Sequence, residues 1–148
     1  MSTTEFDDDL GFALYGAANA ASRAYADLLR PFGLTYSQYL LLLSCEQERA
    51  LSIADLVRRT GFPPNGVGPV VDRLHGRGLL ERTCDTRDRR IVRVGLTPAG
   101  FETRQRARKV EQQMVQAYGL GAEDAVLLRG LLHDLTGRLG ARRTVEGA

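Results

Sequence analysis

The sequence is poor in cysteine and contains no long apolar run. Its 148 residues include two cysteines, Cys45 and Cys84, which are too few for a disulfide framework. No apolar stretch approaches the roughly 20 residues that span a membrane. The N-terminus, MSTTEFDDDL, is acidic where a signal peptide is basic. We therefore expect a cytoplasmic protein with no membrane partner.

Motifs for catalysis and for metal binding are also missing. The chain has no phosphate-binding loop motif and no group of His, Cys, Asp or Glu residues at the spacing of a metal site. It also has no nucleophile paired with a base. His75 and His133 have no Cys or His neighbour at ligand spacing, so we expect both to be structural. We therefore predict no enzymatic activity, no metal site and no cofactor.

Lysine is scarce, because all basic residues except Lys109 are arginine. The net charge is only +2, but seven arginines and three acids lie between Arg73 and Arg93. Arginine offers a planar fork of donors that suits phosphate and guanine edges. Since genomic base composition also produces an arginine bias, the position of these residues is more informative than their number.

Apolar residues recur at helical spacing over most of the chain. Pro31 and Gly33 end the first helix, and the pairs Thr35–Gln38 and Ser52–Asp55 fit helix-starting capping boxes. We predict helices over 10–30, from 36 to about 48, over 53–60, from 63 or 64 to 75–78, from 98 to about 118 and over 122–139. The tail at 140–148 is expected to fray.

The three short central helices, with a tight glycine turn before the last, follow the pattern of a helix-turn-helix. The segments LLERTC and IVRVGL then indicate a β-hairpin, or wing. We predict one mainly α domain over 1–148, with a winged helix-turn-helix lobe at 35–97. Long helices at 7–34 and 98–141 carry apolar stripes that the small lobe cannot cover, so we expect them to form a homodimer.

The tip of the wing, DTRDRR at 85–90, combines arginines with acids. A narrow minor groove attracts inserted arginine, and we expect Asp88 to hold Arg90 in one conformation for that role. Arg87 and Arg89 would then contact flanking phosphates. The alternative is a solvated turn with weak surface ion pairs.

The segment DTRDRRIVRVGLTPAG resembles the wing signature of the MarR family of bacterial transcription regulators, D-x-R-D-x-R followed by L-T-x-x-G. VVDRLHGRGLLER is also typical of that family. The segment LGFALYGAANAASRAYADLLRPFGLTYSQYLLLL is similar to its organic hydroperoxide resistance branch. The resemblance covers almost the whole chain. It implies a homodimeric regulator, usually a repressor, that binds a pseudo-palindromic double-stranded DNA operator and is released by a small-molecule ligand or an oxidant.

The recognition helix departs from the family pattern. Where the family has several Ser or Thr residues this chain reads FPPNGVGP, which leaves Asn65 as the only obvious side-chain reader of bases. Close approach of the backbone, relaxed specificity and a dimerisation or scaffold protein with degenerate DNA reading all remain open. The candidate DNA-binding residues are Asn65, Gly66, Val67, Gly68, Arg73, Arg77, Arg87, Asp88, Arg89 and Arg90.

The sensing region departs as well, because Gly11 occupies the place of the reactive cysteine of the hydroperoxide branch. Tyr15 and Tyr25 match tyrosines that bind that cysteine in the branch. The candidate ligand pocket or sensing region comprises Gly11, Tyr15, Tyr25, Tyr36 and Tyr39. Cys84, near Arg82 and Arg87, is the candidate for redox sensing, whereas we expect Cys45 to be a buried apolar residue.

Overall fold

A computed structural model describes residues 9–145 of the chain, with side chains described as far as Ala141. Residues 1–8, which include the first two residues of the predicted helical segment 7–34, and residues 146–148 lie outside this range. The helices are α1 (Leu10–Leu29), α2 (Tyr36–Ser44), α3 (Ile53–Thr60), α4 (Val67–Gly76), α5 (Pro98–Ala107), α6 (Lys109–Tyr118) and α7 (Ala122–Val145), and a 3-10 turn (Arg30–Phe32) follows α1. The strands are β1 (Leu51–Ser52), β2 (Leu80–Cys84) and β3 (Val92–Leu96). The prediction of a mainly α fold with a β wing is confirmed.

The helix starts follow the capping residues of the sequence. Asp9 accepts a hydrogen bond of 2.9 Å from the backbone N–H of Phe12 at the start of α1. Both predicted capping boxes form, at Thr35–Gln38 for α2 and at Ser52–Asp55 for α3. Each box satisfies backbone donors that a helix leaves unpaired at its first turn.

Two of the predicted central boundaries are wrong. α2 ends at Ser44 rather than near Glu48, and arginines bind its last carbonyls: Arg104 Nη1 donates to Cys45 O at 2.7 Å and Arg59 Nη1 donates to Ser44 O at 3.1 Å. α4 starts at Val67 rather than at the prolines. A residue that precedes proline is disfavoured in the α conformation, so Phe62 and Pro63 stay outside the helix, and residues 63–66 instead form a turn closed by a hydrogen bond from Gly66 N to Pro63 O.

The sheet is antiparallel with strand order β1-β3-β2. The predicted hairpin is present, with Leu80 paired to Leu96 and Cys84 to Val92. β1 was not predicted, because two residues carry no readable alternation; it pairs Leu51 with Val94. Since β1 leads directly into α3, the sheet ties the wing to the helix-turn-helix.

A close backbone contact explains the glycine of the L-T-x-x-G segment. A Cβ atom on Gly100 would lie 1.9 Å from the carbonyl oxygen of Leu79, which no side chain tolerates. The Thr97 hydroxyl caps α5 by accepting from Gly100 N at 3.0 Å, and donates to Gly78 O at 2.6 Å. α5 is therefore fixed against the chain that leaves α4.

The C-terminal helices differ from prediction in two respects. The helix expected over 98–118 is divided at Arg108, whose N–H is shared between Arg104 O and Gln105 O at 3.1 and 3.3 Å. α7 continues to Val145, so the prediction of fraying is wrong for 140–145. The chain divides after Gln113 into two compact units, and the second contains the end of α6 and all of α7.

Candidate nucleic-acid interface

The exposed surface of α4 is defined by what the opposite face buries. Val67, Val71 and Leu74 are fully buried and fix the helix against the core. Pro69 and Arg73 are exposed and lie four residues apart, which places them on one face of the helix. Because the Val67 side chain is buried, only the backbone of Val67 remains available for the DNA contact expected of it.

The turn before α4 presents the only side-chain amide of this region. Asn65 is exposed, and the turn is closed by a 2.8 Å hydrogen bond from Gly66 N to Pro63 O. A Cβ on Gly66 would lie 3.1 Å from the same carbonyl, whereas a Cβ on Gly68 would meet no atom within 4 Å. Gly66 therefore serves the turn itself, while Gly68 leaves open space on the surface.

Asp85 organises the tip of the wing, and sequence reasoning did not include it among the site residues. Its Oδ1 accepts from the backbone N–H groups of Arg87 at 2.8 Å and Asp88 at 3.1 Å, and its Oδ2 accepts from Arg93 Nε at 2.7 Å. Hydrogen bonds from Arg87 N, the Arg93 side chain and Asp88 N lower the pKa of Asp85 to about 2. An aspartate that accepts from the backbone two residues ahead is a known turn signature, so the signal was present in the sequence.

The predicted pairing of Asp88 with Arg90 is confirmed. Arg90 Nε and Nη2 donate to the two carboxylate oxygens of Asp88 at 3.1 and 3.2 Å, and Arg90 N donates to Oδ1 at 3.0 Å. These bonds from the Arg90 side chain and backbone lower the pKa of Asp88. The Arg90 side chain is 92% exposed, so it is oriented without being covered.

Arg93 connects the wing to the helix-turn-helix. Its Nη1 lies 3.8 Å from Asp55 Oδ2, while its Nη2 lies 2.7 Å from Asp85 Oδ2. Asp55 is also the capping-box partner of Ser52, the N-cap residue of α3, and hydrogen bonds from Ser52 are the main cause of its lowered pKa. One guanidinium thus joins the turn at the wing tip to the first turn of α3.

The remaining candidate arginines fall into two groups. Arg73, Arg87 and Arg89 are exposed. Arg77, at the end of α4, instead donates from Nη1 to Gly33 O at 2.6 Å. The expected phosphate contact of Arg77 therefore competes with a bond to the turn that follows α1.

The structure brings together three of the five residues of the expected sensing region. The rings of Tyr25 and Tyr36 stack with centroids 4.1 Å apart, and Tyr39 lies 6.3 Å from Tyr25. Tyr39 is buried, which is the main reason that its pKa is raised. Gly11 and Tyr15 are exposed one turn apart on α1, with Tyr15 about 15 Å along the helix from Tyr25 in the same chain.

A cavity of about 540 Å³ opens beside this tyrosine cluster. Tyr36 belongs to both the cluster and the cavity wall, and Arg77 reaches the cavity from the end of α4. The full lining is Ala26, Arg30, Gly33, Leu34, Thr35, Tyr36, Gln38 and Arg77. The cavity therefore lies between the turn that follows α1 and the C-terminal end of α4.

The two cysteines and the two histidines differ in environment. Cys45 is buried, as predicted, and burial raises its pKa to about 11, so its thiol stays protonated. Cys84 is exposed at the end of β2. His75 Nδ1 lies 3.0 Å from Leu80 O, which is a structural role, and His133 is exposed on α7.

Residues 9–141, whose side chains are described, contain no group of three or more His, Cys, Asp or Glu side chains that could hold a metal ion. Over the same residues no helix is long and apolar enough to cross a membrane.

In comparisons with known proteins, the chain is similar to transcriptional regulators. A family model described as MarR family matches residues 32–91. The regulator TtmR of Methylorubrum extorquens is 39% identical over 94 residues, which are 64% of this chain and 48% of TtmR, so the chain spans about half of that relative. The organic hydroperoxide resistance regulator of Bacillus subtilis is 24% identical over 131 residues, covering 88% of this chain and 89% of that protein. A solved structure that describes regulation of the DNA binding of Bordetella bronchiseptica BpsR by 6-hydroxynicotinic acid matches with a TM-score of 0.82 and 28% identity, over 88% of this chain and 95% of the other.

Proposed function

Because the chain belongs to the MarR family of transcription regulators, we propose that it is a homodimeric repressor. It binds a pseudo-palindromic DNA operator in the cytoplasm, and a small-molecule ligand or an oxidant releases it. The similarity to BpsR supports both DNA binding and control by a small molecule.

The observation that carries this proposal is the Asp88–Arg90 pair at the tip of the wing. A guanidinium that is already oriented loses less conformational entropy when it enters a groove than a free arginine does. Arg73, Arg87 and Arg89 are exposed on α4 and on the wing tip, where phosphate contacts are expected. α4 and the wing are held in one lobe by β1, β3 and Arg93.

The homodimer is supported by apolar surface that a single chain leaves exposed. In the first unit, Leu10 is 68% and Tyr15 is 71% exposed on α1. In the second unit, Leu127 and Leu131 are 62% and 58% exposed on α7. A stable monomer in sedimentation at micromolar concentration would contradict the proposal. A two-fold dimer requires inverted half-sites about one helical turn apart.

We place the effector in the cavity beside Tyr36. The two arginines of its lining, Arg30 and Arg77, favour a ligand with an anionic or hydrogen-bond-accepting group. Such a group would compete with Gly33 O for the hydrogen bond that Arg77 Nη1 donates. Arg77 lies at the C-terminal end of α4, the proposed recognition helix. Occupation of the cavity would thereby change how α4 is held.

Two alternative functions predict different experimental results. Redox control through Cys84 rests on its exposed thiol beside the wing, and Cys84→Ser would abolish it. The second alternative, a dimerisation protein that no longer reads DNA, is supported by the glycines of α4. Such a protein would form dimers whose stability hardly depends on salt.

The test is binding of the full chain to the DNA flanking its own gene, measured by fluorescence anisotropy over a salt series. We expect affinity to fall steeply with salt through release of counterions. Arg90→Ala should weaken binding by roughly 1–3 kcal/mol, and Asp88→Ala should weaken it less, because Asp88 orients the arginine. Equal binding by Arg90→Ala and the parent at moderate salt would exclude the assigned role of the wing.

A further inference from the structure

The segment that should face the major groove contains no base reader for guanine. Of the 20 basic residues in the chain, none lies between Gly61 and Asp72. The N-terminal residues of a recognition helix are those that contact base edges, and the commonest specific contact is an arginine or lysine to guanine O6 and N7. This contact is therefore missing at the start of α4.

The groups that this segment does expose suit adenine and thymine. The Asn65 side chain is exposed and makes no hydrogen bond to residues 9–141, the part of the chain whose side chains are described. Its amide has the donor and acceptor that adenine N6 and N7 require. Pro64 and Pro69 are also exposed, and apolar groups contact the methyl group of thymine.

The charged residues further along α4 do not offset this preference. Asp72, which has the chemistry to accept from a cytosine amino group, forms an ion pair with Arg82. Arg73 lies six residues after Val67, the first residue of α4, about 9 Å along the helix axis, where we expect a phosphate contact rather than a base contact. The major-groove chemistry of α4 therefore remains that of Asn65 and the two prolines.

The wing adds an independent preference for the same base pairs. Runs of A·T pairs narrow the minor groove and raise its negative potential, and they lack the exocyclic amino group of guanine. Arg90 is 92% exposed and is held by Asp88 in a fixed orientation. Such a group enters a narrow minor groove more readily than a wide one that guanine amino groups obstruct.

We propose that each operator half-site is dominated by A·T pairs, with adenine opposite Asn65, thymine methyl groups against Pro64 and Pro69, and an A·T run beneath Arg90. This inference rests on the proposed DNA-binding function. It adds the base pairs that are read and the groove in which each is read.

The first test selects duplexes from a random library with the full-length protein at moderate salt. If no duplex is enriched, the proposed function itself fails. If the enriched duplexes carry G·C pairs at the α4 and wing positions, the protein binds DNA but this inference is overturned. We expect enrichment of inverted half-sites with A·T pairs at both the α4 and the wing positions.

The second test uses base analogues in the selected operator, placed either at the wing positions or at the α4 positions. Inosine·C presents the minor groove of A·T and the major groove of G·C, whereas diaminopurine·T presents the reverse. At the wing positions we expect about tenfold weaker binding with diaminopurine·T and a change of less than about twofold with inosine·C. At the α4 positions we expect the reverse: about tenfold weaker binding with inosine·C and a change of less than about twofold with diaminopurine·T. Uracil in place of thymine should weaken binding there about threefold.

Variants connect each effect to its residue. Asn65→Ala should weaken binding to the operator and remove the inosine penalty at the adenine opposite Asn65, beyond the part that uracil in place of thymine reproduces there, while it leaves the diaminopurine penalty at the wing unchanged. Arg90→Lys, which keeps the charge and loses the paired fork, should reduce only the wing penalty. Analogue effects that are equal in both grooves, or that persist in both variants, would overturn the assignment.

Discussion

Arg93 and Asp85 form an ion pair where the turn at the wing tip meets β3, with Arg93 Nη2 2.7 Å from Asp85 Oδ2. The same carboxylate accepts two backbone N–H groups of the turn, so the shape of the tip and its attachment to β3 depend on one residue. Asp88 holds only Arg90. The two acids of the wing therefore have different roles, although they look alike in the sequence.

Asp85→Ala should weaken operator binding more than Asp88→Ala does. The first change removes the acceptors of the turn and releases Arg93, whereas the second frees a single arginine. The measurement is anisotropy at moderate salt. Thr86→Ala is the matched control, because Thr86 is exposed in the same turn. Equal affinities for Asp85→Ala and the control would contradict the central position of Asp85.

The wing should stay ordered well below the usual pH range of aspartate. The pKa of Asp85 is lowered to about 2 in the folded chain, mainly by hydrogen bonds from Arg87 N and Arg93, against about 3.9 when unfolded. A lowered carboxylate pKa contributes stability above the unfolded value, and this is lost as the pH falls through the folded value. A carboxyl NMR titration should give Asp85 a midpoint near pH 2, and an ordinary midpoint would show that the turn does not hold in solution.

Much of this wing was readable from the sequence, and the limits of that reading are physical. The capping boxes at Thr35 and Ser52 and the Asp88–Arg90 pair involve residues two or three apart, so spacing alone predicted them. Local spacing says nothing of the Arg93–Asp55 contact, which joins distant segments.

The same limit applies to the recognition helix. The contact of Arg77 with Gly33 joins residues 44 positions apart, and only the folded chain reveals it. β1 escaped prediction because a strand of two residues has no periodicity. The start of α4 was predicted too early because proline is tolerated in the first turn of a helix. Pro64, however, disfavours the α conformation of Pro63, the residue before it, and α4 begins only at Val67.

Arg73→Ala and Arg77→Ala should have different consequences. Arg73 is exposed, so its loss should weaken binding to all sequences about equally and flatten the salt slope by about one. Arg77 donates to Gly33 O at 2.6 Å, so its loss should lower the melting temperature and change the salt slope little. Thermal unfolding and salt series of both variants decide the matter. A flattened slope with unchanged stability for Arg77→Ala would restore Arg77 as a phosphate contact.

Gly100→Ala should destabilise the fold strongly, because its Cβ would lie 1.9 Å from Leu79 O, a backbone atom that cannot rotate away. Overpacking of this kind costs roughly 1–3 kcal/mol or more. Gly76→Ala is the control, because its Cβ meets nothing within 4 Å. Denaturant unfolding should show a lower midpoint for Gly100→Ala only. Equal midpoints would mean that α5 shifts easily against the end of α4.

By resemblance to the hydroperoxide branch, Gly11 stands where a reactive cysteine would be expected. Gly11 has no sulfur, and the buried thiol of Cys45 has a pKa of about 11, so organic hydroperoxides at low micromolar levels should not release the parent from DNA. Any slower release at high oxidant should disappear in Cys84→Ser, since Cys84 is exposed. Operator binding with and without cumene hydroperoxide measures both effects. Rapid release of the parent would contradict the loss of sensing at this position.

Gly11→Cys tests whether the tyrosine frame of the hydroperoxide branch still functions. The new Cβ would lie 3.0 Å from Asp9 Oδ1, the carboxylate that caps α1, and a carboxylate this close disfavours a thiolate. We therefore expect Gly11→Cys to respond more slowly than the double change Gly11→Cys with Asp9→Ser, because serine keeps a cap without the charge. If both variants remain insensitive, Tyr15 and Tyr25 only pack, and control by a reversible ligand in the cavity beside Tyr36 becomes the stronger explanation.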